Sequence, residues 1–211
     1  MLKLSRLMSV PAMLAVAASL LATTVGARAQ SSIPTIAADD RILGRADAPI
    51  AIFEFASLTC SHCAAFATGT LPMVKQEWIA TGKAQLIFRD FPLDKLALQA
   101  AMLARCASRE RYFDMIEALF KDQASWAQMP DPSQALDRIA GMGGLSKDQA
   151  STCLNDAKLS DFIVGERLTG SKYYGIEMTP SFFLNDIKAA GEKSYADFKV
   201  LLESAALRPR N

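Results

Sequence analysis

Two cysteines placed directly after a buried β-strand constrain this chain more than any other feature. Residues 50–55 read IAIFEF, and five of the six are apolar, without the alternation of a half-exposed strand. Such a run indicates a strand that is buried on both faces. The run breaks at residues 56–59, and Cys60 and Cys63 follow where a helix would begin. Cysteines at this spacing, at a strand-to-helix turn, favour disulfide exchange over other chemistries.

Residues 1–29 are predicted to be a secretory signal peptide and not part of the fold. Lys3 and Arg6 form a positively charged start, residues 7–25 carry no charge, and small residues offer a cleavage site after Ala29. An uncleaved membrane anchor is the alternative, because the uncharged run is nearly long enough to span a bilayer. A cleaved signal peptide predicts that the mature chain lies in the periplasm.

Composition indicates one exported domain that has no electrostatic reason to bind nucleic acid. The chain has 211 residues, and 51% of them are hydrophobic, which is enough for one sizeable core. It carries 23 Lys and Arg and 22 Asp and Glu, and cleavage removes three basic residues and no acidic one, so the mature charge is −2. The four cysteines all lie in the exported part, and an even count is compatible with two disulfides: Cys60, Cys63, Cys106 and Cys153.

Hydrophobic periodicity predicts one α/β domain over residues 30–211. An extended lead-in precedes strands that are expected at residues 50–55, 84–91, 179–184 and 187–190. A helix from Cys63 to about residue 80 contains Pro72, which should kink or divide that helix.

A helical insertion is expected at about residues 93–176, because apolar residues recur there only at helical spacing. Pro130, Pro132 and the glycines of residues 141–144 are expected to end helices, and Ser146 with Gln149 forms a predicted capping box. An amphipathic helix over residues 194–206 is expected to close the domain.

Three motifs resemble the DsbA family of exported thiol-disulfide oxidoreductases. They are Glu54-Phe55 ahead of Cys60-Ser61-His62-Cys63, then FRDFPL at residues 88–93, and TPSFF at residues 179–183. The resemblance covers about residues 40–206 and implies a thioredoxin-like central sheet with an inserted helical subdomain. Ser61 and Met178 depart from the family pattern, since the best-known members have proline at the first position and many relatives have glycine at the second.

The resemblance also implies a function. The chain would be a monomer that donates the Cys60–Cys63 disulfide to reduced exported polypeptides during oxidative folding. It would need no cofactor, and a quinone-linked membrane partner of the DsbB type would reoxidise it. A disulfide reductase or isomerase is the alternative within redox chemistry. A carrier of copper(I), held by the two thiolates, is the alternative outside it.

The two cysteines are expected to differ in their roles. Cys60 would lie at a helix N-terminus, where unpaired N–H groups and the macrodipole favour a thiolate, so it is the predicted nucleophile. Cys63 is its predicted resolving partner. His62, the only histidine, is expected to add a donor or a positive charge beside the thiolate. A stabilised thiolate favours the reduced protein, which makes the disulfide an oxidant.

Glu54, Thr179 and Pro180 complete the predicted catalytic and substrate-binding set. A carboxylate within an apolar strand is costly without a partner, and the resemblance implies that Glu54 assists proton transfer. A purely structural pair between Glu54 and a lysine is the alternative. The resemblance implies that Thr179-Pro180 faces the cysteines with a cis bond, beside an edge that pairs with an extended substrate. A trans proline that opens a strand is the alternative.

Cys106 and Cys153 are expected to form a structural disulfide within the helical insertion. A second redox pair is the alternative, but isolated cysteines in helices lack the activation of a Cys-x-x-Cys motif. No metal site is expected, because a structural zinc ion needs four ligands and no second clustered pair accompanies Cys60 and Cys63. Haem attachment is excluded because Ala64 follows Cys63.

Overall fold

A mixed five-stranded sheet organises the part of the chain that the computed structural model describes, residues 32–208. The predicted signal peptide therefore lies outside the described residues. The strand order is β1-β3-β2-β4-β5, and β2 and β3 are parallel while the other neighbours are antiparallel. The strands are β1 Arg41–Leu43, β2 Ile50–Ala56, β3 Ala84–Asp90, β4 Ser181–Leu184 and β5 Ile187–Ala190.

The two central strands have the burial that their composition predicts. Every residue of β2 and β3 is buried, because helices cover both faces of the sheet. The prediction of an extended lead-in over residues 30–48 missed a strand, because this segment contains β1 at an edge of the sheet. Three residues are too few to show a strand period, and the pairing with β3 is what makes them a strand.

The helical segment that follows the cysteines is divided, as Pro72 predicts. It consists of α1 Ser61–Ala65, a π-helical turn Phe66–Thr70, α2 Leu71–Val74 and a second π-helical turn Lys75–Ile79. Pro72 has no N–H to donate to the preceding turn, and the Leu71 N–H already bonds five residues back, to the Phe66 carbonyl. The segment therefore changes its winding immediately before the proline.

Helices cover both faces of the sheet. On one face Phe66 packs between Phe182 of β4 and Phe198 of α9 Tyr195–Ala206, with ring centroids 4.6 and 5.1 Å away. On the other face α8 Ala157–Tyr174 approaches closely because Gly170 has no side chain. A Cβ at Gly170 would lie 3.2 Å from the Phe91 ring. Within residues 32–208 no helix combines the length and the apolar character needed to cross a membrane.

The helical insertion lies between β3 and β4 and confirms the predicted fold class, an α/β domain with a thioredoxin-like central sheet. Pro132 opens helix α6 (Pro132–Gly143) instead of ending a helix, because proline needs no N–H partner in a first turn. Ser146 and Gln149 form the expected capping box. The helices that precede α8 are α3 Lys95–Cys106, α4 Tyr112–Lys121, α5 Gln123–Trp126, α6 Pro132–Gly143 and α7 Lys147–Leu154.

Buried ion pairs join the insertion to the sheet. Arg89 of β3 lies 2.6 Å from Asp40, which precedes β1, and 3.6 Å from Glu166 of α8. Arg105 of α3 contacts both Asp90 of β3 and Glu166. Burial raises the pKa of Glu166 to about 7. Removing one member would leave a buried charge without its partner, which is strongly destabilising. The Arg-Asp pair of the FRDFPL motif therefore serves to attach the insertion.

Candidate active site

The end of β2 delivers the cysteine motif, and side chains from the insertion hold the turn that carries it. The Thr59 hydroxyl donates to Asp94 at 2.6 Å, and Asp94 also caps α3. The Gln123 amide donates to the carbonyls of Leu58 and Cys60, at 2.8 and 3.0 Å. Sequence reasoning missed Gln123, because a glutamine in a short polar helix has no local pattern that points to a site.

The two active-site cysteines are unbonded and differ in their surroundings. Cys60 is half-buried as the N-cap of α1, and Cys63 is fully buried. A hydrogen bond from the Cys63 thiol lowers the pKa of Cys60 to about 5, with further support from Thr179 and the α1 N–H groups. Burial, followed by the contact with Cys60, raises the pKa of Cys63 well above its ordinary value. Cys60 therefore forms the accessible thiolate, and Cys63 remains a thiol.

The Thr179-Pro180 segment faces Cys60 across the fold, and its peptide bond is cis. In the thiol form the Cys60 sulfur donates to the Thr179 carbonyl at 3.4 Å. The Thr179 hydroxyl is buried and has no hydrogen-bond partner within the described residues, so it is free to donate to a Cys60 thiolate. Met178 is 53% exposed beside this segment, which presents an apolar side chain to whatever approaches the cysteines.

His62 projects from the first turn of α1 towards the loop that follows β5. Its Nδ1 lies 3.1 Å from Glu192 Oε2, and this hydrogen bond raises the pKa of His62, with a smaller contribution from the charge of Cys60. Glu192 was absent from the predicted site. It is 130 residues away in sequence, and a glutamate in a polar turn is typical of an ordinary exposed loop.

Glu54 lies beneath the cysteines and is 1% exposed. Its Oε1 has no hydrogen-bond partner among residues 32–208, and burial raises its pKa to about 8. A cavity of about 20 Å³ is lined by Glu54, Lys75 and Glu117, and the last two pair with each other at 2.5 Å. The described residues thus pair this lysine with Glu117 and leave Glu54 free. The negative charge of ionised Glu54 also raises the pKa of Cys63, so the two groups interact electrostatically.

Cys106 and Cys153 form a disulfide that joins α3 to α7. Their Cα atoms are 6.3 Å apart, and 47 residues separate them in sequence. The Cys153 side chain is buried in the insertion core. In the part of the chain that the structure describes, no group of three or more His, Cys, Asp or Glu side chains could hold a metal ion.

Comparisons with known proteins agree with this geometry. Residues 36–204 match the family model described as Thioredoxin. A protein of Rickettsia bellii that is provisionally named a protein-disulfide oxidoreductase is 30% identical over 151 residues, which are 71% of this chain and 58% of that protein. The chain thus spans a little over half the length of the curated Rickettsia relatives it matches.

Solved structures give a fuller match. The crystal structure of Wolbachia pipientis α-DsbA1 is 36% identical with a TM-score of 0.75, and the match covers 82% of this chain and 94% of that one. Oxidised BdbD of Bacillus subtilis shares the fold at 20% identity, with a TM-score of 0.70 over 80% of this chain and 94% of that one. The motifs, the sheet and its insertion, and these matches together show that the chain belongs to the DsbA family of thiol-disulfide oxidoreductases.

Proposed function

We propose that this protein donates the Cys60–Cys63 disulfide to reduced exported polypeptides during oxidative folding. The observation that carries the proposal is the asymmetry of the pair. The pKa of Cys60 is lowered to about 5 while that of Cys63 is raised. A stabilised Cys60 thiolate exists only in the reduced protein, so it favours reduction of the Cys60–Cys63 bond. A disulfide that is easily reduced readily oxidises the thiols of its substrates.

The exchange proceeds in two balanced steps. A substrate thiolate attacks the Cys60 sulfur, a mixed disulfide forms, and the Cys60–Cys63 bond breaks with its electron pair going to Cys63. A second substrate thiolate then attacks the substrate sulfur of the mixed disulfide and expels the Cys60 thiolate. The substrate loses two electrons and two protons. The cysteine pair gains the two electrons, Cys63 takes up one proton, and the other proton goes to solvent because Cys60 remains a thiolate.

Glu54 is the group we assign to the proton transfers at Cys63. Its pKa of about 8 keeps the carboxyl protonated near neutral pH, so it can supply a proton when the Cys63 sulfur leaves. The same group would accept that proton when the disulfide is remade. A buried side chain with a perturbed pKa beside the reacting atom is typical of a general acid.

Thr179 and Pro180 are the residues we assign to substrate binding. The Thr179 carbonyl already accepts a hydrogen bond from the Cys60 thiol, so it lies where a substrate backbone would have to approach the sulfur. An extended peptide could pair with this segment through main-chain hydrogen bonds. We further propose that the mature chain acts in the periplasm as a monomer. A quinone-linked membrane partner of the DsbB type would return the disulfide.

The equilibrium between the mature protein and glutathione tests the direction of the reaction. We expect a strongly oxidising potential, close to the value of about −120 mV that is typical of DsbA. A potential near the value of about −270 mV that is typical of thioredoxin would contradict disulfide donation and indicate a reductase. A purified protein that binds copper(I) tightly and exchanges no disulfides would indicate the carrier instead.

A further inference from the structure

We propose that Glu192 is a positioning residue of this active site, which holds the His62 side chain and moderates how strongly His62 stabilises the Cys60 thiolate. The proposal rests on the proposed function only in taking Cys60 as the exchanging cysteine. It adds a residue from the far end of the chain to the set that controls the thiolate.

The loop that carries Glu192 is tied to both sides of the active site. The Gly191 N–H donates to the Pro180 carbonyl at 2.8 Å, and the Thr70 hydroxyl donates to the Lys193 carbonyl at 2.7 Å. Gly191 has a φ of 76°, which a residue without a side chain adopts at little cost. Residues 191–193 thus bridge the cis-proline segment and the helical segment that follows the cysteines, and Glu192 lies between the two ties.

The loop of residues 191–193 holds Glu192 within reach of His62. The Glu192 carboxylate lies 3.1 Å from His62 Nδ1, although the two side chains are 43% and 71% exposed. A free pair of such exposed side chains would contribute little, but a loop fixed at both ends removes part of the entropy cost. The other charge that acts on His62 is that of Cys60. The Lys193 ammonium instead donates to the carbonyls of its own loop, at Ala190 and Gly191.

The sign of the effect on Cys60 follows from the order of the titrations. Cys60 ionises at about pH 5, where a histidine of ordinary pKa, about 6.5, is protonated with or without a partner. Glu192 therefore adds no charge to His62 in that range. Its carboxylate offsets the field of the imidazolium and repels the thiolate, so its removal should lower the pKa of Cys60.

Nuclear magnetic resonance of the single histidine tests the contact directly. His62 is the only histidine in the chain, so its ring protons titrate without overlap, and the oxidised protein keeps Cys60 uncharged. We expect the pKa of His62 to fall in Glu192→Gln. Glu203→Gln, at an exposed position of α9, removes the same charge elsewhere and should leave the pKa of His62 unchanged. An unchanged His62 titration in E192Q would overturn the proposal.

The thiolate absorbance of the reduced protein tests the consequence for Cys60. In E192Q the pKa of Cys60 should fall, and at about pH 6 the equilibrium with glutathione should shift towards the reduced protein by roughly twofold to fivefold, the scale of an exposed ion pair. An unchanged or raised pKa of Cys60 would overturn the moderating role. A thioredoxin-like potential in the unaltered protein would contradict disulfide donation, while the His62 titration would still decide on Glu192.

Discussion

The chain contains two cysteine pairs whose helical positions are opposite. Cys60 is the N-cap of α1, and Cys63 follows it in the first turn. Cys106 is the last residue of α3, and Cys153 is in the last turn of α7. A helix N-terminus favours a negative charge and a helix C-terminus opposes one. These positions favour a thiolate at Cys60 and disfavour one at Cys106 and Cys153.

The surroundings of the pairs extend this difference. Cys60 is half-buried, and hydrogen-bond donors on Cys63, Thr179 and α1 stabilise its thiolate. Cys153 is buried among the apolar side chains of the insertion, where a thiolate would lose its hydration without gaining a donor. The comparison indicates that helix position and access, together with the hydrogen bond from Cys63, favour a thiolate at Cys60 and oppose one at Cys153. It leads to five predictions, from the largest expected effect to the smallest.

Replacing Cys60 by serine should abolish disulfide exchange, because a hydroxyl cannot form the mixed disulfide. The measurement is the rate at which the oxidised protein converts a reduced peptide to its disulfide form. The matched control is the Cys106→Ala/Cys153→Ala double variant, which should keep its exchange activity. Loss of activity in a folded double variant would break the comparison, since it would give the second pair a redox role.

The same double variant should lose stability. Closing a loop of 47 residues stabilises a protein by about 4 kcal/mol in the chain-entropy model. Denaturant unfolding, with Cys60 and Cys63 kept in one redox state, measures the change. A free energy of unfolding equal to that of the unaltered protein would show that the Cys106–Cys153 bond does not act as a staple.

The reduced protein should be more stable than the oxidised protein at neutral pH. The pKa of Cys60 is about 5 in the folded state and about 8.5 in an unfolded chain. A lowered folded-state pKa contributes stability that is complete above the unfolded value and is lost as the pH falls towards 5. Thermal unfolding of both forms between about pH 5 and pH 8 should show the advantage of the reduced form shrinking with acid. A higher Tm for the oxidised form at neutral pH would contradict the thiolate argument.

Glu54→Gln should slow formation of the mixed disulfide by roughly tenfold to a hundredfold, because the amide cannot donate a proton to the Cys63 sulfur as it leaves. Stopped-flow exchange with a reduced peptide measures the rate. Glu117→Gln, at the exposed side of the cavity, is the control that keeps Glu54 intact.

The stability of Glu54→Gln gives an independent readout. Glu54 has a folded-state pKa of about 8, above the unfolded value of about 4.3. The unaltered protein should therefore lose stability as the pH rises between these values, because the unfolded chain releases the proton first. The glutamine variant should lack that slope. Identical pH profiles for the two proteins would mean that Glu54 is not a buried neutral acid.

His62→Ser should produce the smallest change, a raised pKa of Cys60 and a slightly less oxidising protein. His62 is exposed, so solvent screens its charge. Thiolate absorbance measures the titration, and E192Q should move it in the opposite direction. If the titration of H62S matches that of the unaltered protein, the helix terminus and the hydrogen bonds alone set the pKa of Cys60.

Local sequence determined most elements of the fold and the centre of the site, whereas β1 depends on its pairing with β3. The apolar run of β2, the proline that divides the following helical segment and the capping box at Ser146 each depend on residues within a few positions of one another. Propensity and hydrophobic period act over that range, so these features were predictable. The cysteine motif belongs to the same class, because the strand-to-helix turn that exposes Cys60 is a local structure.

Tertiary structure decided which distant groups meet that centre. The Thr179 carbonyl reaches Cys60 from 119 residues away, and Glu192 reaches His62 from 130. Neither contact follows from a local period, because each depends on how β4, β5 and the insertion pack around β2. The cavity that leaves Glu54 without a partner among the described residues is likewise a property of packing. Sequence therefore located the thiol chemistry and, through the family resemblance, Glu54, His62 and Thr179-Pro180. Only the folded chain brought in Glu192 and Gln123, because electrostatic and hydrogen-bond effects depend on distance in space.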